Sequence, residues 1–212
     1  MSIFVVIPAY NEEETIYQVI KEVIIEFSNV IVVNDCSIDK TENLALKAGA
    51  EVINLKKNYG YDFAIEQGIK YALEKGASTI ITLDADGQHP VGDLKKMVNI
   101  LEQGQYQIVI GIRDNLPRFS ERVFSFLTRL FFGVEDITCG MKCYSSEICR
   151  RYGFGSTHNS IGTFLTIKVL KSKGKFKKYK IPTKKRINNS RFGMNIKTEL
   201  KIYNALLKSI FY

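Results

Sequence analysis

The run Leu83-Asp84-Ala85-Asp86-Gly87-Gln88-His89-Pro90 holds the sharpest chemistry in the chain. In extended backbone alternate side chains share a face, so Asp84 and Asp86 are expected to project together. Two carboxylates, the Gln88 amide oxygen and a nearby imidazole suit a hard divalent cation such as Mg2+ or Mn2+. Such an ion neutralises a diphosphate and stabilises it as a leaving group. The plainer reading of the same residues is an acidic turn closing a strand. Pro8-Ala9-Tyr10-Asn11-Glu12 is equally double-edged: Asn11 and Glu14 have the spacing of a capping box, which accounts for the acids but not for Tyr10. Asn34-Asp35-Cys36-Ser37 is either a turn or a place where Asp35 grips a ribose or a base.

Each of these clusters follows a short apolar run. Ile3–Ile7, Val30–Val33, Glu51–Leu55, Thr79–Leu83 and Gln107–Gly111 read as strands. Helical spacing of apolar residues lies between them, after Asn11, over Asp39–Ala48, and over about 61–75 and 91–103. Such alternation predicts an α/β chain with a mostly parallel, doubly wound sheet, and ligands bind such sheets at the carboxyl ends of the strands. Beyond residue 112 the alternation loosens. A helix over 118–132 carries Phe119, Val123, Phe126, Leu127, Leu130 and Phe131 on one broad face, with Arg118, Arg122 and Arg129 on one stripe. A helix near 160–173, a Lys-rich strand near 175–186 and an amphipathic segment over 195–211 complete the chain.

With 212 residues, 45% apolar and 25% charged, the chain reads as a single globular domain. Residues 1–112, where strands and helices alternate, are expected to be a nucleotide-binding half, and residues 113–212 an acceptor-binding half. Four cysteines lack paired zinc spacing and are expected to be thiols in a reducing compartment. Neither a signal peptide nor a run of about 18 apolar residues is evident, so any membrane contact is expected to be peripheral. The net charge of +8 is split unevenly. Residues 1–147 hold 14 Lys/Arg against 21 Asp/Glu, net −7, whereas residues 148–212 hold 16 against 1, net +15. A segment this basic is either a solvated face or a surface that meets phosphate.

Taken as a set, seven stretches resemble the family 2 glycosyltransferases, in the branch of dolichyl-phosphate mannose and glucose synthases. They are VVIPAYNEEETI (5–16), IVVNDCSIDKT (31–41), NYGYDFAIEQG (58–68), TLDADGQHP (82–90), GIR (111–113), Arg122 and DITCGMKCYS (136–145), in the family's order. The resemblance implies a GT-A fold, Rossmann-like, and inverting, metal-dependent transfer from a GDP- or UDP-sugar. It implies that Pro8, Ala9, Tyr10, Asn11, Glu12 and Asp35 hold the nucleotide. Asp84, Ala85 and Asp86 would line the diphosphate, with Asp86 and Gln88, and Asp84 as a further candidate, on the metal. Arg113 and Arg122 would face the phosphates, joined by Arg186 and Arg191. Asn34, Tyr61-Asp62 and Thr166 depart from the family's usual residues, and the C-terminal transmembrane helices that many members have and some lack are not expected.

Acceptor chemistry separates two readings. A sugar hydroxyl must lose a proton and needs a general base, for which Asp136 is the best candidate, its plainer role being to order its loop. A phosphate monoester, with a second pKa of about 6, is already a nucleophile near neutral pH. It needs cationic positioning instead, which arginines supply. The favoured reading is therefore sugar transfer to a polyprenyl or dolichyl phosphate, at the cytoplasmic membrane face. The alternative is a soluble transferase acting on a hydroxyl. A nucleic-acid module leaves Asp84–Pro90 unexplained, so no nucleic-acid partner is expected. The segment 195–211, with Ile196, Leu200, Tyr203, Leu207 and Ile210 opposite Lys197, Lys201 and Lys208, is expected either to dock at a bilayer interface or to pack its apolar face on the sheet.

Overall fold

The computed structural model describes residues 2–116, 118–152, 163–182 and 203–204. Ile3–Ala9 (β1), Asn29–Asn34 (β2), Glu51–Asn54 (β3), Thr79–Thr82 (β4) and Ile108–Arg113 (β5) fall where the apolar runs place them. With Lys142–Ser145 (β6) and Phe176–Ile181 (β7) they form one sheet, ordered β3-β2-β1-β4-β6-β5-β7. Every pairing is parallel except the two made by β6. β1 is apolar almost throughout because helices cover both faces of the sheet.

One core layer packs Ile16–Ile24 (α1), Thr41–Ala48 (α2) and Leu94–Gln103 (α4) against the sheet. The other packs Tyr61–Glu74 (α3), Phe119–Phe132 (α5), Ser146–Tyr152 (α6) and Phe164–Lys171 (α7). In α1 the apolar positions Ile16, Val19, Ile20 and Val23 are all buried, the spacing that sequence reading used to find it. The three cysteines beyond Cys36 are buried thiols, and burial pushes Cys149 up to about 12. Among the described residues no helix is long and apolar enough to cross a membrane.

Chain order gives the cleft its place. From β1 the chain winds outward through β2 to β3, then returns through α3 to β4 on the other side of β1. The pairing of β1 with β4 runs only from Ile3 to Val6, while its pairing with β2 continues to Ala9. The N–H that Pro8 lacks therefore leaves no rung empty on the β4 side. The β1–β4 ladder ends at Val6, which is the topological switch point, the place where open α/β sheets carry their ligand crevice.

Three local expectations differ from what forms. Asn11 and Glu14 make no capping box: α1 begins at Ile16 with no side-chain cap, and Asn11 adopts φ 55°. Its Oδ1 instead accepts the Ile38 N–H at 2.9 Å, so a contact distant in sequence replaces the local one. The segment after β4 turns at Ala85–Asp86 rather than staying extended; Asp84 bonds Tyr61 and His89, and Asp86 accepts the Gln88 N–H. The helix beginning at 91 opens as a 3-10 turn, Val91–Asp93, before α4. Residues 195–202 and 205–211 of the amphipathic segment lie outside the described residues.

Candidate active site

Asp84 stands at the end of β4 beside the crevice. Its Oδ1 accepts the Tyr61 hydroxyl at 2.7 Å, and its Oδ2 lies 3.1 Å from His89 Nε2. Burial favours the neutral carboxyl, but the His89 hydrogen bond and charge, then the Tyr61 hydroxyl and the Arg113 charge, outweigh it and hold Asp84 down to about 2. A methyl group at Gly140 would collide with all three carboxylate atoms of Asp84, so the 136–145 stretch presses its backbone onto this residue. Asp86 is buried two residues on, its Oδ1 accepting the Gln88 backbone N–H at 3.1 Å. Gly87 between them has φ 71°, a backbone state that a side chain would strain.

Around β1 and β2 the side chains mainly build the floor. Pro8 and Ala9 end β1, Tyr10 is half-buried, and Glu12 is buried with its N–H donating to Thr41 Oγ1 at 2.8 Å. The Asn11 N–H donates to Ser37 Oγ at 2.9 Å. Asp35 is buried and accepts the N–H groups of Tyr59 and Gly60, each at 2.8 Å. It thus splints the loop that leads into α3 and Tyr61. Asn34 donates to Asn54 Oδ1 at 2.8 Å and accepts the Ser37 N–H at 3.1 Å. A carboxylate there could not make the first bond, which accounts for the amide at this position.

On the far side of the crevice Arg113, at the end of β5, forks onto Asp136. Its Nε lies 2.7 Å from Oδ2 and its Nη2 3.0 Å from Oδ1. Thr138 Oγ1 adds a 2.8 Å bond to each partner. Asp136 is 2% exposed; burial alone would raise its pKa, but the Arg113 and Thr138 contacts bring it below the usual carboxylate range. Burial likewise works against the Arg113 charge, and Asp136 more than restores it. Glu121 links this pair outward, 3.8 Å from Arg113 and 2.9 Å from Arg118. Arg122 is exposed on α5, its Nε donating to the Leu116 carbonyl at 3.1 Å. Arg186 and Arg191 lie outside the described residues.

The residue set suits a divalent cation of the Mg2+ or Mn2+ kind. Asp86 and Gln88 offer hard oxygen donors on one tight turn, with Asp84 at its start. Among the described residues no group of three or more His, Cys, Asp and Glu side chains is placed to hold a metal. A cation here would therefore rest on one or two carboxylates and lean on substrate phosphates, as Mg2+ commonly does.

Residues 4–165 match the profile described as Glycosyl transferase family 2. The chain belongs to that family. This family 2 glycosyltransferase is 34% identical to an uncharacterised protein of Methanocaldococcus jannaschii, over 99% of this chain and 93% of that one. It is 30% identical to the UDP-N-acetylglucosamine–dolichyl-phosphate N-acetylglucosaminyltransferase of Methanococcus voltae, over 68% and 70% of the two chains. Among solved structures it is similar to glucosyl-3-phosphoglycerate synthase from Mycobacterium tuberculosis in complex with Mn2+ and UDP-glucose. That likeness has a TM-score of 0.80 at 21% identity and covers 98% of this chain and 78% of that one. The fold of this glycosyltransferase is GT-A. Two site residues escaped sequence reading. Tyr61 was visible only as a departure from the family's usual residue. Lys142 looks like a surface lysine but is buried in β6, where burial lowers its pKa against the pull of Cys139, Asp136 and Asp84.

Proposed function

We propose that this glycosyltransferase moves a sugar, with inversion, from a nucleoside diphosphate sugar to a polyprenyl phosphate. One observation carries the choice of acceptor: Asp136, the base that a hydroxyl acceptor would need, is buried and committed to Arg113 and Thr138. With its pKa lowered it is a weak proton acceptor. A phosphate dianion asks for no base. Its oxygen attacks the anomeric carbon, and the bond to the diphosphate breaks on the opposite face, carrying the electron pair away with the nucleoside diphosphate. Names of relatives such as the Methanococcus voltae enzyme support the same acceptor class.

In this reading the nucleotide lies along the Pro8–Glu12 loop and Asp35, with its diphosphate at Asp84, Ala85 and Asp86. Asp86 and Gln88 would hold a divalent cation, which would supply charge neutralisation for the departing diphosphate. Asp84, kept ionised by His89 and Tyr61, is a fixed acceptor for donor hydroxyl groups. Arg113, oriented by Asp136, stands with Arg122 for the acceptor phosphate, and Arg186 and Arg191 are assigned to the same anion. Because the proposed acceptor is a membrane lipid, the protein works at a bilayer surface, on the cytoplasmic face where nucleotide sugars are found.

The test is a panel of UDP- and GDP-sugars offered with Mn2+ to the full chain, against dolichyl phosphate in detergent and against simple glycans. The expected product is a sugar joined to the lipid phosphate. Transfer to glycan hydroxyls with none to lipid phosphate would overturn the reading and return Asp136 to the role of base.

A further inference from the structure

Helix α5 leaves as many large apolar side chains outside as its packing on the core uses. It buries Ser120, Glu121, Phe124 and Thr128, and packs Val123, Leu127 and Phe132 half-buried against the core. Its open side carries Phe119, Phe126 and Leu130 at 68%, 67% and 69% exposure, with Phe131 exposed in the last turn. Arg122 and Arg129 are exposed as well. Positions 119, 122, 126, 129 and 130 recur at helical spacing, so aromatic, aliphatic and guanidinium groups share one outward stripe. Apolar groups gathered on one exposed face mark an interaction site.

Its surroundings favour one partner. The stripe begins six residues after Arg113, and the helix's N-cap Arg118 joins Glu121, which also approaches Arg113. At the other end Lys178 of β7 donates to the carbonyl of Gly133, the C-cap of α5, and pairs with Glu135 at 3.0 Å. Lys180, two residues on, is exposed on the same face of the strand, whereas Lys177 and Lys175 lie with Tyr179 and Tyr106 on the opposite face of the sheet. A phenyl and leucyl stripe set with arginines and flanked by lysines complements a surface that is apolar beneath and anionic on top.

We infer that the outward face of α5 docks on an anionic lipid bilayer. Phe119, Phe126 and Leu130 enter the headgroup boundary, and Arg122 and Arg129 meet lipid phosphates. The inference rests on the polyprenyl-phosphate reading and deepens it, naming the surface that brings Arg113 to a lipid headgroup.

Sedimentation of the full chain with phosphatidylcholine vesicles, with and without one quarter phosphatidylglycerol, tests it. Binding is expected to rise with phosphatidylglycerol and to fall with salt. Phe126→Ser with Leu130→Ser should weaken it about tenfold. The circular dichroism and melting temperature should not change, since neither side chain packs in the core. Unchanged vesicle binding by this double variant, or no binding by the parent at low salt, overturns the inference. So does a parent dimer that the double variant splits into monomers, because the face is then a contact between copies. Turnover of a short, water-soluble polyprenyl phosphate separates the two claims: the variant keeps it if both hold. Vesicle binding as expected without any such turnover leaves the docking face standing and removes the acceptor.

Discussion

Tyr61 donates to Asp84 Oδ1, and burial together with that carboxylate raises the phenol's pKa well above its usual value. The hydroxyl therefore stays a donor at any working pH. Tyr61→Phe removes one hydrogen bond to a charged group and is expected to lower kcat/KM about tenfold, mainly through the donor KM. Equal KM values for parent and variant would take Tyr61 out of the site. Asp86→Ala should cut turnover at least about a hundredfold while leaving the protein folded, since it removes a charged ligand from the proposed cation site. Full activity of the parent in excess chelator would contradict that role. Asp136→Asn strips the buried counter-charge from half-buried Arg113 and is expected to cost about 3 kcal/mol in chemical denaturation. The pH sign follows from the lowered pKa of Asp136. Its stabilisation is complete above the unfolded value of about 4 and is lost as pH falls below it towards the folded value. The parent should therefore lose more stability than Asp136→Asn over that acid window. A loss of the same size in both proteins would mean that the pair contributes nothing.

At the scale of elements, β6 is the piece that sequence periodicity missed. Four residues, Lys142–Ser145, give no alternation to count, and a lysine at their head argues for a surface. Only the neighbours β4 and β5, which it pairs antiparallel, make it a strand. Its insertion carries Gly140 onto Asp84 and Asp136 onto Arg113, joining the two halves of the site. Gly140→Ala is thus expected to displace the Asp84 carboxylate and weaken donor binding at least about tenfold, with an overpacking cost of about 1–3 kcal/mol. Unchanged donor affinity, read by calorimetric titration of a nucleoside diphosphate with Mn2+, would show that the carboxylate has room to move. Helix α5 teaches the converse: its apolar residues were legible at helical spacing, but which side faced the core was not.

For the whole molecule, charge separates into an acid-rich first part and a last part, residues 148–212, that holds 16 Lys/Arg and one acid. Raising salt from about 0.1 M to 1 M shortens the Debye length from about 10 Å to about 3 Å. Turnover of a polyprenyl phosphate in anionic vesicles should fall severalfold across that range. Turnover of a short soluble analogue should change far less. Matching salt responses would place the effect at the active site rather than at a surface.

The sequence alone determined the strands β1 to β5, their alternation with helices and the position of polar residues at strand ends, because buried strands and amphipathic helices write their periods into neighbouring residues. It also determined the family, through motifs that keep their order along the chain. Only the tertiary structure decided what those residues touch. Asn11 caps Ile38 rather than its own helix, Asp35 holds the loop before α3, and Asp84 draws its partners from α3 and the turn at His89. The fork of Arg113 on Asp136 joins residues 23 positions apart. Periodicity reports which way a side chain faces within its own element. Hydrogen bonds between distant segments depend on where the crossovers bring those elements together, and no local pattern encodes that.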